Sequence, residues 1–291
     1  MSSGAAARVG IATPGQRIAA GAAALFRYAV IGFVVAISVL PLVWVVISSL
    51  ETNAEILSSA LNLPAAPSLK GYATAFRFAR LDLKFVTSLI VAVSTTTVSL
   101  LIYSLAAYAL SRFRFRLRTL VFTLLISSIL IPVNTMVQPV YEMVLRLGLY
   151  DTKAALILVY TGFSMPLCLF VLRSYMMHLP YEMEESAYLE GASVPRTFWQ
   201  IMLPLTQPAL VSSAVLTFLG SWNELLYALL LTSSEHNRTL PLAMRYFMQQ
   251  FTFDFSAMFA ALVIYVVPSI ILYVVLQEQI MSGIAAGAIN E

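Results

Sequence analysis

Residues 85–118 read FVTSLIVAVSTTTVSLLIYSLAAYALSRFRFRLR. From Phe85 to Ser111 no side chain carries a charge, and then Arg112, Arg114, Arg116 and Arg118 follow within about two helical turns. A hydrocarbon core of about 30 Å takes about 20 apolar residues as a helix, so this run is long enough to cross one. The alternating ten-residue pattern of a transmembrane strand is missing here and elsewhere in the chain. Short loops dense in arginine stay in the cytoplasm, so the reading predicts both a span and its direction.

Composition extends that reading to the whole chain. Of 291 residues, 60% are hydrophobic and 11% charged, with a mean hydropathy of +0.85. Soluble domains carry about 25% charge, so an integral membrane protein built of helices is expected. The net charge of +3 suits positive cytoplasmic loops better than nucleic-acid binding. The single cysteine, Cys168, lies in an apolar run, where it reads as a packing residue and no disulfide framework is possible. No Gly-x-x-x-x-Gly-Lys-Ser/Thr loop occurs, so the chain is not expected to hydrolyse ATP. Two distant histidines, His178 and His236, and one cysteine supply neither a metal site nor a nucleophilic triad.

Six apolar runs are expected to span: about 26–50, 85–111, 119–141, 154–174, 206–232 and 257–277. Pro41 sits inside the first and Pro132 in the third. Thr152 is placed to cap the fourth. Residues 1–25 read as a cytoplasmic tail with no cleavable signal, 26–291 as the six-helix membrane domain, and 278–291 within it as a short cytoplasmic tail. Residues 51–84, broken by Pro64, Pro67 and Gly71, read as an external loop with a surface helix. Six spans put both termini on the arginine side. The 17 lysines and arginines divide into about nine inside and about eight outside; the short 112–118 loop decides the orientation, because the rule weights dense loops near the spans.

On the same side lies PYEMEESAYLEGASVPRTFWQIMLP, residues 180–204. Pro180 suits a first helical turn, and Glu182, Glu184 and Glu185 meet the positive end of the helix dipole. Gly191 is placed to end that helix, and Ser193 and Pro195 to begin a second one. Phe198, Ile201 and Met202 share a face by helical spacing. One reading is an amphipathic connector on the membrane surface. The other is a helix–turn–helix held by a basic protein partner, since surface-lying helices are usually basic and this one has Glu182, Glu184, Glu185 and Glu190.

The stretch also resembles the "EAA" loop of ABC-importer permeases. Glu185-Ser186-Ala187, a three-residue spacer, Gly191-Ala192, then Ile201-x-Leu203-Pro204 match it with unbroken spacing, Ser186 replacing the usual alanine. The resemblance implies that Glu185, Ser186, Ala187, Gly191, Ala192, Ile201, Leu203 and Pro204 form a coupling helix that docks on a separate ATP-hydrolysing subunit. Phe218-x-x-Ser221-Trp222-Asn223-Glu224, Thr239-Leu240-Pro241-Leu242, Gly148-Leu149 and Gly283-Ile284-Ala285-Ala286-Gly287-Ala288 resemble carbohydrate-uptake permeases of the maltose type, the last resembling the G-like half of the pair. In that family this tail reaches between the two ATPase subunits. Here it ends in Asn290-Glu291 rather than a basic residue.

Trp222, Asn223 and Glu224 have two readings. A carboxylate inside a span is a functional hypothesis by default, so the three line the translocation path or brace its outer gate. Alternatively Glu224 bonds a neighbouring helix and Trp222 is an interfacial aromatic. Residues 233–256 face an external solute-binding protein by resemblance, or simply pack Tyr246, Phe247 and Phe251 over the helix ends. The resemblance implies one permease subunit of an ATP-driven importer for a sugar or oligosaccharide, working by alternating access. It implies no cofactor in this chain, ATP and Mg in partner ATPases, and partnership with a second permease, two ATP-binding cassette subunits and a solute-binding protein. The setting would be a bacterial or archaeal plasma membrane. The alternatives are an importer of a non-sugar solute such as glycerol phosphate or a polyol, a stand-alone secondary transporter, and a membrane enzyme.

Overall fold

A computed structural model describes residues 14–58, 63–247 and 253–288, with side chains from 21 to 277 within those limits. No strand occurs among them. The chain runs α1 (Pro14–Ser48), α2 (Asn53–Ser58), α3 (Lys70–Ala79), α4 (Leu81–Arg112), α5 (Arg118–Ser127), α6 (Val137–Arg146) and α7 (Lys153–His178). It continues through α8 (Glu182–Leu189), α9 (Val194–Thr197), α10 (Leu203–Leu205), α11 (Gln207–Trp222), α12 (Leu226–Leu231), α13 (Leu240–Ala243) and α14 (Phe255–Ala288).

Among the described residues four helices are long and apolar enough to cross a membrane unbroken: Gly21–Ser48, Leu81–Arg112, Lys153–His178 and Phe255–Gln277. Two bent pairs raise the number to as many as six if each counts as one span. The third expected span is one of them. Residues 118–130 and 133–146 meet at 95° around Pro132. Proline drives the residue before it out of the helical region, and Ile131 is extended at φ −83°, ψ 116°. The fifth run is shorter than expected. Its helix stops at Trp222, and α12 starts after the break at 223–225. In the other bent pair, residues 194–205 meet α11 at 76°. The expected N-terminal tail is also shortened, because α1 begins at Pro14; residues 1–13 lie outside the described residues. At the other end the backbone of α14 runs on through the expected tail to Ala288, and Asn290 and Glu291 lie outside the described residues.

The core is the packing of α4, α7, α11 and α14, with α4 against α7 the most extensive contact. Lipid tails give apolar helices no reason to associate, so small residues and interhelical hydrogen bonds do that work. On α4 the buried face is Thr87, Ser88, Val91, Ala92, Thr95, Ser99, Ser104 and Ala107. Ser99 Oγ lies 2.8 Å from Ser164 Oγ, and the Tyr103 hydroxyl donates to the Thr161 carbonyl at 2.7 Å. The amphipathic α3 buries Gly71, Ala75 and Ala79 against α14. A Cβ at Gly71 would stand 2.7 Å from the Ser256 carbonyl oxygen, so this crossing needs glycine.

Two ends result. One gathers the C-termini of α4 and α7 with α8 and α9. The other gathers the α6–α7 loop, the start of α4 and residues 232–247.

Candidate coupling arm and transmembrane cavity

The 180–204 stretch folds as two short helices around a glycine turn. In α8 the acidic residues split by face. Glu182, Glu185 and Glu190 are exposed, but Glu184 is buried. Its Oε1 lies 2.5 Å from Nε of Arg112, with side chains only 6% and 3% exposed. The Tyr108 hydroxyl donates to Glu184 Oε2 at 2.9 Å and sits 3.3 Å from the Tyr188 hydroxyl. Arg112 also donates through Nη2 to the Leu179 carbonyl at 2.8 Å, and its guanidinium lies 4.4 Å from the Tyr181 ring centre. This corrects two expectations. Arg112 is not a solvated loop cation, and Glu184 serves an internal partner rather than an external one.

The turn after α8 closes with two bonds. The Gly191 amide donates to Tyr188 O at 3.0 Å and the Ala192 amide to Ala187 O at 2.9 Å. That is the Schellman pattern, which needs a left-handed residue at the first position past the cap; Gly191 has φ +84°. Ser193 stands at the N-cap of α9 but makes no side-chain capping bond. The second helix is also not uniformly α. Phe198–Met202 forms a π turn, which buries Phe198 and Met202 and leaves Ile201 half-buried. The helix continues through Leu203 and Pro204 and breaks at Thr206. Pro208 has no N–H for the Pro204 carbonyl, so the ladder cannot run on.

Of the other motif residues, Ala187 is buried, Ser186 and Pro204 are exposed, and Ala192 and Leu203 are half-buried. The outer face of the arm carries apolar side chains: Leu189 is 89% exposed, with Tyr181, Met183, Val194 and Trp199 also exposed.

At the far end of α11, Trp222 is buried. Its ring stacks on Phe218 at 5.7 Å, meets Phe85 edge-on, and its Nε1 donates to Tyr265 O at 3.1 Å. Its ring thus packs within the α4–α11–α14 core. Asn223 is exposed and accepts from the Tyr265 hydroxyl at 2.6 Å. Glu224 takes the backbone amides of Tyr227 (2.9 Å) and Ala228 (3.0 Å) at the start of α12, together with the Tyr160 hydroxyl at 2.6 Å. A carboxylate at a helix start satisfies otherwise unpaired donors, which explains how this charge is held. Glu224 also borders a cavity of about 280 Å³ between α7 and α11, lined by Tyr160, Phe163, Ser164, Cys168, Ser213, Thr217 and Ser221 among others. Cys168 is buried there as a packing residue.

The loop end holds polar residues that the sequence reading passed over. Asp151 (φ +58°) accepts from the backbone amides of Ser233 (2.9 Å) and Ser234 (3.0 Å), from the Ser234 hydroxyl, and from Asn237. Burial works against its charge, but these donors outweigh it and hold the carboxyl well below the usual carboxylate range. Lys84, expected in a solvated loop, is fully buried at the start of α4. It donates to Ala79 O (2.6 Å) and Glu235 Oε2 (2.7 Å) and lies 4.5 Å from the Tyr246 ring. Arg238 bonds both Glu235 and Tyr246. For Glu235 too, burial is outweighed, here by the Lys84 and Tyr246 bonds and the charges of Lys84 and Arg238, so its carboxyl is lowered. Phe247 packs in the core; Gln249, Gln250 and Phe251 lie outside the described residues. No spacing rule joins 84, 151 and 235, so only the fold brings them together.

A helical membrane bundle with an arm wired to its core at one end and a braced loop cluster at the other fits a transport protein. The sequence profile described as "Binding-protein-dependent transport system inner membrane component" matches residues 18–285, and the chain belongs to that family. It is 34% identical to the diacetylchitobiose uptake system permease protein NgcG of Streptomyces coelicolor, over 86% of this chain and 84% of that one. It is likewise 34% identical to the sulfoquinovosyl glycerol transport system permease protein SmoH of Agrobacterium fabrum, over 86% and 88%. A chain from the crystal structure of a bacterial ABC transporter that imports the acidic polysaccharide alginate superposes with a TM-score of 0.80. That match covers 93% of this chain and 99% of the other at 19% identity, and so shows a shared fold. This chain is therefore a multi-pass membrane permease component of an ABC importer and a transport subunit rather than an enzyme.

Proposed function

We propose that the chain imports a sugar or oligosaccharide as one of two permease subunits, with 180–204 as the coupling arm on the cytoplasmic side. The carrying observation is the division of labour on α8 and its cap: Leu189, Glu185 and the cap residue Glu190 are exposed, while Glu184 is locked to Arg112 at the end of α4. A partner ATPase that grips the outer face of this arm moves a lever already attached to the core. ATP and Mg are bound and hydrolysed in the two ATPase subunits, and both termini of this chain lie on their side. Residues 232–247, at the opposite end, face the solute-binding protein. Closure of the ATPases swings α8 and α9, the α4–α7 pair follows, and the path opens outward; hydrolysis returns it.

For substrate class, the similarity to NgcG and SmoH favours a carbohydrate. The α7–α11 cavity supports it with Tyr160, Ser164, Thr217 and Glu224 as hydrogen-bonding groups beside Phe163, a mix of few polar groups and an apolar wall suited to a small ligand. The test is uptake by the reconstituted transporter with its binding protein, comparing labelled oligosaccharides with glycerol phosphate. Oligosaccharide uptake that Glu185→Lys abolishes, with membrane insertion intact, is expected. Normal uptake by Glu185→Lys would sink the coupling role, and uptake confined to glycerol phosphate would sink the sugar. Glu224→Gln tests the path: altered transport or substrate range is expected, and unchanged values would leave Glu224 only its role at the start of α12.

A further inference from the structure

The arginine loop holds a second feature, independent of the coupling arm. Arg112 turns inward to Glu184, but Arg114, Arg116 and Arg118 turn outward. With Arg173 of α7 they line a cleft of about 440 Å³. Among the described residues no carboxylate lies within 4.0 Å of any of these four guanidinium groups, so no ion pair within the chain offsets their charge. Arg173 is held in place, its Nε donating to Leu110 O at 3.1 Å and its guanidinium 3.8 Å from the Phe122 ring centre. Four like charges around one cleft repel one another, and an anion between them relieves that repulsion.

The surroundings choose the anion. The cleft lies where α4 ends and α5 begins, at the edge of the apolar layer. Phe115 lines it, and α5 has no buried residue, exposing Leu120, Val121 and Leu124. Guanidinium forks match phosphate oxygens in pairs, and basic pockets beside transmembrane helices suit charged lipid headgroups. We propose that this cleft binds the phosphate of an anionic membrane phospholipid, whose acyl chains lie along the uncovered face of α5. The chain then has a specific lipid site at the pivot between α4 and α5.

The test uses the assembled transporter in mixed phosphatidylglycerol–phosphatidylcholine bilayers, extracted and weighed by native mass spectrometry. Wild type should retain phosphatidylglycerol over phosphatidylcholine, and Arg114→Gln/Arg116→Gln/Arg118→Gln should cut that preference by about tenfold, a conservative discount for three interfacial cations. A control removing the same charge at the other end, Lys70→Gln/Arg77→Gln/Arg80→Gln, should keep it. Equal loss in both triples would overturn the site as a net-charge effect. Release of the lipid by millimolar inorganic phosphate would overturn it in favour of a soluble anion. Dissociation of the ATPase subunits from the arginine triple, with lipid retention unchanged, would overturn it in favour of a protein contact. Should the triple fail to assemble, Arg116→Gln alone reads the same preference, and an unchanged ratio there also overturns the proposal.

Discussion

Glu184→Gln would leave the Arg112 guanidinium buried without its anion. Removing one partner of a buried pair costs about 3–5 kcal/mol, and glutamine, which retains an acceptor for Tyr108, puts this change near the lower limit. Thermal unfolding of the purified transporter should therefore shift down in Glu184→Gln and in Arg112→Gln. The double variant should lose less than the sum of the two, because neither charge is then stranded. Strict additivity would mean that the 2.5 Å contact contributes nothing as a pair. Glu185→Lys, on the exposed face of the same helix, should leave the melting point unchanged while abolishing uptake. The sequence showed four arginines and four glutamates but not which were spoken for. Arg112 and Arg114 differ by two positions at the end of one helix, and only the packing of Leu179, Tyr181 and Glu184 against Arg112 separates them.

At the scale of elements, the runs that became α4, α7 and α14 were legible because uninterrupted hydrophobicity is itself the signal. The breaks were harder. Pro41, Pro166 and Pro268 lie inside continuous helices, while Pro132 divides α5 from α6; whether a proline bends or breaks depends on what takes up the released carbonyl, and that is tertiary. The Gly191 turn was legible in full, because the position past a helix end has one favoured residue. Gly191→Ala must force a side chain to φ +84°, a strain of about 1–2 kcal/mol. It should lower uptake partially and leave ATPase subunits bound. Gly191→Pro cannot adopt that φ and deletes the amide that bonds Tyr188 O. It should abolish uptake with membrane insertion intact, as measured by transport in vesicles and protein in the membrane fraction. Equal uptake in both variants would show that the angle between α8 and α9 is not what matters.

At the scale of the whole molecule, the chain is braced at both ends and open along one side. At the loop end, the folded pKa values of Asp151 and Glu235 lie below their ordinary values of 3.8 and 4.5. The sign follows: their bonds contribute fully above those ordinary values and are lost only as pH falls through the lower folded values. Hydrogen exchange in residues 232–239 should therefore stay slow down to about pH 4, and Asp151→Asn should speed it at neutral pH; loosening of the wild type already above pH 5 would contradict the assignment. The open side is α1. None of its most apolar window is buried, and its contacts with the bundle lie at and just past its C-terminal end, where Trp44 meets Phe259 and Ser49 Oγ stands 2.8 Å from the Tyr72 hydroxyl. A lipid-facing helix and one covered by a second permease look alike in a single chain. Gly32 separates them, because a Cβ there meets nothing within 4 Å in this chain. Small residues let transmembrane helices approach closely, so Gly32→Leu should leave this chain's insertion unchanged and reduce co-purification of its partner permease. Undiminished co-purification would mean that this face of α1 meets lipid.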